Sequence, residues 1–289
     1  KTILDEPKIQ ARMQITDRGP GLINHLSDPP NHYDGYIGIE WRGSTSQFFS
    51  DKKPYSVETR KADSTDLTVA LLGLPKESDW VFIAPFSDKS LVRDAFALEL
   101  ARRIMPWASH SRFVELLVND EYQGIYLVAE KIKRDKNRVN IAKLDSDDLA
   151  GDSLTGGYII KLDKTTGATA DGWESPYFSL PGGWQRPFYQ YHVPKPADIR
   201  PEQRQYIQQW MTAFEDAMYG PQFATPGIGY PKYLDVPSFI DFTLINEIAK
   251  NVDGYRLSTF LYKDRDSQNP HLFAGPIWDF NIGFGNVNY

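Results

Sequence analysis

The chain has 289 residues, of which 41% are hydrophobic and 24% charged, so it is long enough for one large domain or two lobes with a substantial core. Its formal net charge of -6 argues against a nucleic-acid-binding protein, because such proteins present basic surfaces. There is no cysteine, which excludes disulfides, thiol catalysis and cysteine-type zinc sites. The sequence also lacks a run of about 18 apolar residues, so it predicts no membrane span.

The N-terminal part alternates apolar and polar residues in the pattern of an antiparallel sheet. Strands are predicted over residues 8–17, 36–42 and 53–60. The second strand ends at the turn Gly43-Ser44-Thr45-Ser46, whose N–H groups and hydroxyls suit a phosphate. The bases Arg42 and Lys53 lie close to this turn in the sequence. The alternative is an ordinary turn, since glycine and serine join strands in many proteins that bind no phosphate.

The middle of the chain predicts a helix and then a hairpin. The helix runs over residues 90–105, with Asp88 as its N-cap and Glu99 in its interior. The hairpin joins apolar strands on either side of a polar turn at residues 119–124, and Glu130 follows its second strand. A basic run at residues 131–138 comes next and is either an anion-binding segment or a solvated face.

A glycine-led strand over residues 156–162 carries Lys161 in an apolar setting. A lysine on such a strand either binds phosphate groups or protects an exposed edge strand from further pairing. The following residues, 165–196, are rich in Gly, Pro, Trp and Tyr and predict a long, lid-like loop with extended pieces, among them residues 188–193.

The C-terminal part predicts helices over residues 201–219 and 236–250, followed by a hairpin. The hairpin strands are residues 257–262 and 271–278, and the polar residues 263–270 form the turn. Because a hairpin returns its ends to one place, we expect Asp253 and Asp279 to be neighbours. Two carboxylates at the open end of a hairpin suit a divalent cation, since hard cations take oxygen ligands.

Two motifs, Asp253-Gly254-Tyr255 and Trp278-Asp279-Phe280-Asn281, together with the order and spacing of several upstream segments, resemble the CotH (spore coat protein H) family of atypical secreted kinases. The upstream segments are Ile39-Glu40-Trp41-Arg42-Gly43-Ser44-Thr45-Ser46, Asp79-Trp80-Val81, Ser87-Asp88-Lys89-Ser90, and Tyr122-Gln123-Gly124-Ile125-Tyr126-Leu127 with Glu130. The resemblance runs from about Gly35 to the end of the chain.

The resemblance implies an α+β, protein-kinase-like fold, with a β-rich N-terminal lobe over residues 1–196 and a helical C-terminal lobe with the hairpin over 197–289. In the family further helices follow the Asp279 motif, so the resemblance leaves open whether the C-terminal lobe is short or continues past residue 289. It also implies a bacterial protein that is secreted or on the cell surface and that transfers phosphate from ATP to Ser or Thr hydroxyls of a protein acceptor, using Mg²⁺ or Mn²⁺.

Roles for individual residues follow from the same resemblance. The predicted metal ligands are Asp279 and Asn281, and the predicted catalytic residues are Asp253, which orients or deprotonates the acceptor hydroxyl, and Arg256, which adds positive charge. Lys161 is predicted to hold the nucleotide phosphates, paired with Glu130 or Glu99. Arg42 and Lys53 complete the predicted nucleotide-binding set.

Two departures from the family pattern leave other functions open. Ser258 stands where a kinase catalytic loop has an Asn, and Asn281 stands where the family usually has an acid. One alternative is therefore a catalytically inactive surface or coat protein that binds a partner or a glycan through the same cleft. Another is a glycoside hydrolase that uses Asp253 and Asp279 as its pair of carboxylates.

Overall fold

The computed structural model describes residues 2–43, 50–165, 171–180 and 182–287. The chain forms two compact units, the first made of Lys1–Ala95 and Ser109–Lys131 and the second of Phe96–Ala108 and Ile132–Tyr289. The predicted phosphate-binding turn lies, after Gly43, outside the described residues.

The first unit is built on a six-stranded antiparallel sheet with the order β1-β2-β3-β4-β6-β5. Its strands are β1 (Ile9–Ile15), β2 (Tyr33–Trp41), β3 (Tyr55–Arg60), β4 (Asp79–Ile83), β5 (Ser111–Val118) and β6 (Glu121–Glu130). The three predicted N-terminal strands and the predicted hairpin are therefore confirmed, with small shifts at their ends.

A shared apolar core explains why this sheet forms. In β2 the side chains of Ile37 and Ile39 are buried, and they share a core with Val57 of β3 and Trp80 of β4, which is 0% exposed. Burial of such side chains contributes roughly 25 cal/mol for each Å² of apolar surface removed from water.

The second unit is built on a five-stranded antiparallel sheet with the order β11-β10-β7-β9-β8. Its strands are β7 (Tyr158–Leu162), β8 (Gly172–Glu174), β9 (Phe188–Val193), β10 (Thr259–Lys263) and β11 (Leu272–Ala274). The predicted C-terminal hairpin is confirmed as β10 and β11. The predicted lobe boundary at residue 196 falls inside this unit, because Ile160 of β7 pairs with Leu261 of β10.

Four α-helices accompany the sheets in the described residues: α1 (Arg93–Ile104), the short α2 (Gly151–Leu154), α3 (Pro201–Tyr219) and α4 (Val236–Ala249), with a 3₁₀ turn at Tyr230–Lys232. Both C-terminal helices begin as predicted. Pro201 starts α3, and the Asp235 carboxylate accepts a hydrogen bond from the Ser238 N–H at 3.0 Å to cap α4.

One face of the second sheet is covered by α3. Ile207 and Met211 of this helix are 0% exposed, as expected for the apolar stripe in its sequence. The ring of Tyr206 stacks on the ring of Tyr158 in β7 with 5.9 Å between centroids. The predicted long loop is in part sheet, because β8 and β9 pair with each other and β9 pairs with β7.

In the described part of the chain, none of the helices combines the length and the apolar composition needed to cross a bilayer.

Candidate functional site

Asp253 lies in a compact turn between the end of α4 and the start of β10. Helix α4 ends at Ala249 and is capped by Lys250, which adopts the left-handed conformation; the Asn251 N–H donates back to the Asn246 carbonyl at 3.0 Å. The Asp253 carbonyl then accepts from the Leu257 N–H at 3.0 Å, which closes a turn immediately before the strand. The carboxylate of Asp253 is therefore carried by a backbone that is hydrogen-bonded on both sides.

The Asp253 carboxylate is paired with Arg256. The Arg256 guanidinium donates to Asp253 Oδ1 at 2.6 Å, and the two side chains are 64% and 24% exposed, respectively. The structure thus brings together the two residues that the sequence predicts as catalytic. At this exposure the ion pair contributes little to stability, but it holds one oxygen of the carboxylate in a defined position.

Asp279 is exposed, and it lies two positions after the buried Ile277 and directly before the buried Phe280. Ile277 is 0% exposed and Phe280 is 3% exposed, so the chain is pinned on both sides of Asp279. The backbone of Asp279 is left-handed, with φ of 65°, a conformation that Asp and Asn adopt more readily than most residues. The left-handed backbone thus places an exposed acid between the half-buried Trp278 and the buried Phe280.

The segments that carry the two acids are anchored to the same end of α4. Asp253 follows the last helical residue, Ala249, by four positions in the sequence. After Asp279 the chain returns, and the Phe284 N–H donates to the Ala249 carbonyl at 2.5 Å. This arrangement supports the expectation that the Asp253 and Asp279 segments are neighbours.

Left-handed backbone is concentrated around these two segments. Besides Asp279, four residues here have positive φ: Lys250 (47°), Tyr255 (71°), Ser258 (48°) and Phe284 (52°). For side chains other than Gly, Asn and Asp this conformation costs about 1–3 kcal/mol per residue and is found most often at functional sites. The density of such residues marks the open end of the hairpin as a candidate site.

Lys161 lies on the central strand of the same sheet, so the alternative of a protective lysine on an edge strand is wrong. Its cross-strand partner in β10 is Phe260, and residues directly opposite each other share a face of the sheet. Trp278, the neighbour of Asp279, packs against the cluster that contains Phe260. Lys161 therefore lies on the same face of the sheet as Trp278.

The ammonium of Lys161 has a carboxylate partner that the sequence did not suggest. It lies 3.2 Å from Asp163 Oδ2, and the two side chains are 25% and 29% exposed. Glu99, one of the two predicted partners, instead forms ion pairs on the surface of α1 with Arg102 at 2.9 Å and Arg103 at 3.2 Å.

The other predicted nucleotide-binding residues belong to the first unit. Glu130 is 0% exposed, and its Oε2 accepts from the His110 N–H at 2.9 Å and lies 2.7 Å from His110 Nδ1. The Lys53 ammonium donates to the Ser50 carbonyl at 2.6 Å, and the Arg42 N–H donates to the Pro54 carbonyl at 3.1 Å. Their roles toward a nucleotide stay predictions.

The predicted metal ligands, Asp279 and Asn281, lie in the segment that follows β11. Within the described residues, no group of three or more His, Cys, Asp or Glu side chains is arranged to hold a metal. Mg²⁺ is commonly held by one or two protein oxygens with phosphate oxygens and water. The role of Asp279 and Asn281 toward such an ion stays a prediction. The turn after them is fixed by the Asn286 amide, which donates to the Asn281 carbonyl at 2.7 Å.

The sequence predicts that Lys263 belongs to the polar turn, and this prediction is wrong. Lys263 is the last residue of β10, and its side chain is 0% exposed. The ammonium donates to the Thr155 carbonyl at 2.8 Å, the Asp264 carbonyl at 3.1 Å and Asp266 Oδ1 at 2.6 Å. The signal was its position directly after the apolar run Phe260–Tyr262, which favours strand over turn.

These features define an α+β protein of two antiparallel sheets with an acidic site at the open end of a hairpin. The family model described as CotH kinase protein matches residues 39–289 of the chain. The chain therefore belongs to the CotH kinase protein family. A search of curated proteins gives no significant match.

Proposed function

We propose that this protein is an atypical, kinase-like phosphotransferase that moves the terminal phosphoryl group of ATP to a Ser or Thr hydroxyl of a protein acceptor with the help of Mg²⁺ or Mn²⁺. The observation that carries the proposal is the shared sheet of the second unit. Strand β7, which bears Lys161, pairs directly with β10 of the hairpin whose ends bear Asp253 and Asp279. This pairing supports the proposal because phosphoryl transfer needs a cation for the phosphates and acids held close to it.

Each residue has a distinct role in this reaction. Lys161 binds phosphate oxygens as a point charge. Asp279 and Asn281 would hold the divalent ion, which supplies neutralisation of the negative charge on the phosphates when it is bound. Asp253 accepts the proton of the acceptor hydroxyl as its oxygen bonds to phosphorus and the bond from phosphorus to the ADP oxygen breaks. Arg256 orients the Asp253 carboxylate for this step.

The departures from the usual kinase pattern favour a single metal ion. Ser258 stands where a kinase has the second metal-binding Asn. Its backbone is left-handed, with φ of 48°, so its short side chain leaves the backbone in a different direction from that of a residue in a regular strand. Asn281 has an amide oxygen without charge. We infer that Asp279 provides the main anionic metal ligand. The same proposal includes two expectations that the family implies. They are a kinase-like fold with two lobes and a location at the cell surface or outside the cell.

A second candidate function is supported by the same two positions, Ser258 and Asn281. A site with fewer anionic ligands is compatible with a surface protein that binds nucleotide or a partner without catalysing transfer. The hypothesis of a glycoside hydrolase is less well supported, because Lys161 shares the sheet with the acidic hairpin and the family is one of kinases.

The first experiment is calorimetric titration of the chain with ATP in Mg²⁺, in Mn²⁺ and in a metal chelator. We expect metal-dependent binding that Asp279→Ala abolishes. The matched control is Asp147→Ala, which removes an exposed acid from a loop outside the site and should leave binding intact. Absence of ATP binding by the parent chain in every metal would overturn the proposal.

Transfer is tested separately with ATP labelled at the terminal phosphate, with autophosphorylation and a generic Ser/Thr-rich protein as acceptors. Asp253→Asn should bind ATP normally but lose at least about 10²-fold in labelling, because it lacks the proton acceptor. Metal-dependent binding without any labelling by the parent chain would favour the second candidate function.

A further inference from the structure

We propose that Asp163 is the positioning residue of the site, holding the Lys161 ammonium in the place where it meets the phosphates of the nucleotide. This inference rests on the proposed function. Asp163 lies two residues after Lys161, immediately after β7. We assign to it the pairing with Lys161 that the family resemblance gives to Glu130 or Glu99.

The two oxygens of the Asp163 carboxylate have separate partners. Oδ2 lies 3.2 Å from the Lys161 ammonium, and Oδ1 accepts from the Lys164 N–H at 2.8 Å. The second bond is local and fixes the rotation of the carboxylate. Asp163 therefore offers Lys161 one oxygen in a defined direction.

The backbone that carries Asp163 is also fixed. The amide of Gln190 on β9 donates to the Asp163 carbonyl at 2.8 Å and to the Lys164 carbonyl at 3.2 Å. Gln190 is only 5% exposed and is the cross-strand partner of Lys161. A buried amide that bonds two successive carbonyls restrains the chain at the point where it leaves β7.

The ion pair between Lys161 and Asp163 contributes little to the stability of the protein. Both side chains are partly open to solvent, where ion pairs contribute little, and long lysine side chains lose conformational freedom when they are held in place. What the pair provides is orientation on the half-open face of a central strand. Among the described residues, no other side chain forms a hydrogen bond with the Lys161 ammonium.

The chemistry allows Lys161 to keep this partner while it binds phosphate. An ammonium has three N–H donors, so one can remain on Asp163 while the others reach phosphate oxygens. The carboxylate then limits the positions that the ammonium can take before the nucleotide arrives, and preorganisation of this kind raises affinity.

The test is a double-mutant cycle on Mg²⁺-dependent ATP binding, measured for the parent chain, Asp163→Asn, Lys161→Met and the double variant. We expect Asp163→Asn to weaken binding about fivefold in the parent background and less than about twofold in the Lys161→Met background, because Asp163 acts through Lys161. The matched control is Asp145→Asn, which breaks the surface ion pair with Lys143 and should not change binding.

A ligand-free readout separates positioning from a general structural role. Without nucleotide, the rate at which an amine-reactive ester modifies Lys161, followed by peptide mass spectrometry, should rise in Asp163→Asn and stay unchanged at other lysines. A rise in labelling at lysines throughout the chain would indicate loosened structure and overturn the proposal.

The remaining outcomes are also decisive. Equal losses in both backgrounds, or unchanged or tighter binding by Asp163→Asn, overturn the positioning role while the proposed function stands. Failure of the parent chain to bind ATP overturns the proposed function and, with it, the role of Asp163 toward a nucleotide.

Discussion

The Phe284 N–H donates to the Ala249 carbonyl at 2.5 Å, so the segment that follows Asp279 is hydrogen-bonded to the last residue of α4. Gly283 makes this approach possible. A Cβ on Gly283 would lie 3.1 Å from the Phe280 carbonyl oxygen and 3.3 Å from that of Ala249. A side chain at position 283 would therefore crowd the contact that anchors the segment after Asp279.

Gly283→Val should disturb this contact and weaken the site. Its branched side chain has no room beside two carbonyl oxygens, and overpacking of this kind costs about 1–3 kcal/mol. We expect a lower unfolding midpoint in urea and weaker Mg²⁺-dependent ATP binding. Gly283→Ala is the graded control, since a single methyl group needs only a small shift; equal behaviour of the Val variant and the parent would contradict the argument.

Local patterns in the sequence were sufficient to predict the elements around this contact. Proline at the start of α3, Asp235 before α4 and the polar turn between β5 and β6 act over a few residues, so each element could be predicted with small errors at its ends. The pair of acids flanking a hairpin belongs to the same class, because a hairpin is a local structure.

The pairing of β7 with β10 could not be predicted in this way. Ile160 and Leu261 are far apart in the chain, and an alternating pattern indicates a strand without naming its partner. For this reason Lys161 could be taken for an edge residue and Lys263 for part of a turn. The partnership of Lys161 with Asp163 was missed because it depends on the path of the chain after β7.

Lys263→Met should destabilise the second unit by about 2 kcal/mol, the scale of losing hydrogen bonds from a charged donor. The buried ammonium joins β10 to the Thr155 carbonyl and to Asp266, and methionine fills the space without replacing those bonds. Urea denaturation provides the measurement. The control is Lys143→Met, which removes an exposed lysine paired with Asp145 and should change the free energy of unfolding by less than about 1 kcal/mol.

Arg204→Lys should loosen the attachment of β8 to α3. Arg204 binds Asp171 through two parallel hydrogen bonds of 2.8 and 2.6 Å, and it also donates to the Pro196 carbonyl at 2.8 Å. Lysine keeps the charge but not the planar pair of donors. We expect a loss of about 1 kcal/mol, reduced further by the partial exposure of the pair, together with faster proteolysis near residue 171. Unchanged proteolysis would show that the fork is dispensable.

Glu215 and Asp171 should give the protein opposite responses to pH. Glu215 on α3 is 7% exposed, and burial raises the pKa of its carboxyl despite hydrogen bonds from the Ser175 hydroxyl at 2.7 Å and the Tyr189 hydroxyl at 2.9 Å. The hydrogen bonds from Arg204 instead lower the pKa of Asp171. A raised pKa means that the folded state holds the proton more tightly than the unfolded state does.

The contribution of protonated Glu215 to the free energy of unfolding is therefore fully present below its ordinary pKa of 4.5, and it is lost as pH rises through the higher pKa of the folded state. We predict that the unfolding free energy of the parent chain, minus that of Glu215→Gln, falls as pH increases above this value. The same difference for Asp171→Asn should fall in the other direction, as pH decreases below the ordinary value of 3.8. Urea titrations from about pH 3 to about pH 8 measure both; parallel curves for parent and Glu215→Gln would show that this carboxyl titrates as it does in the unfolded chain.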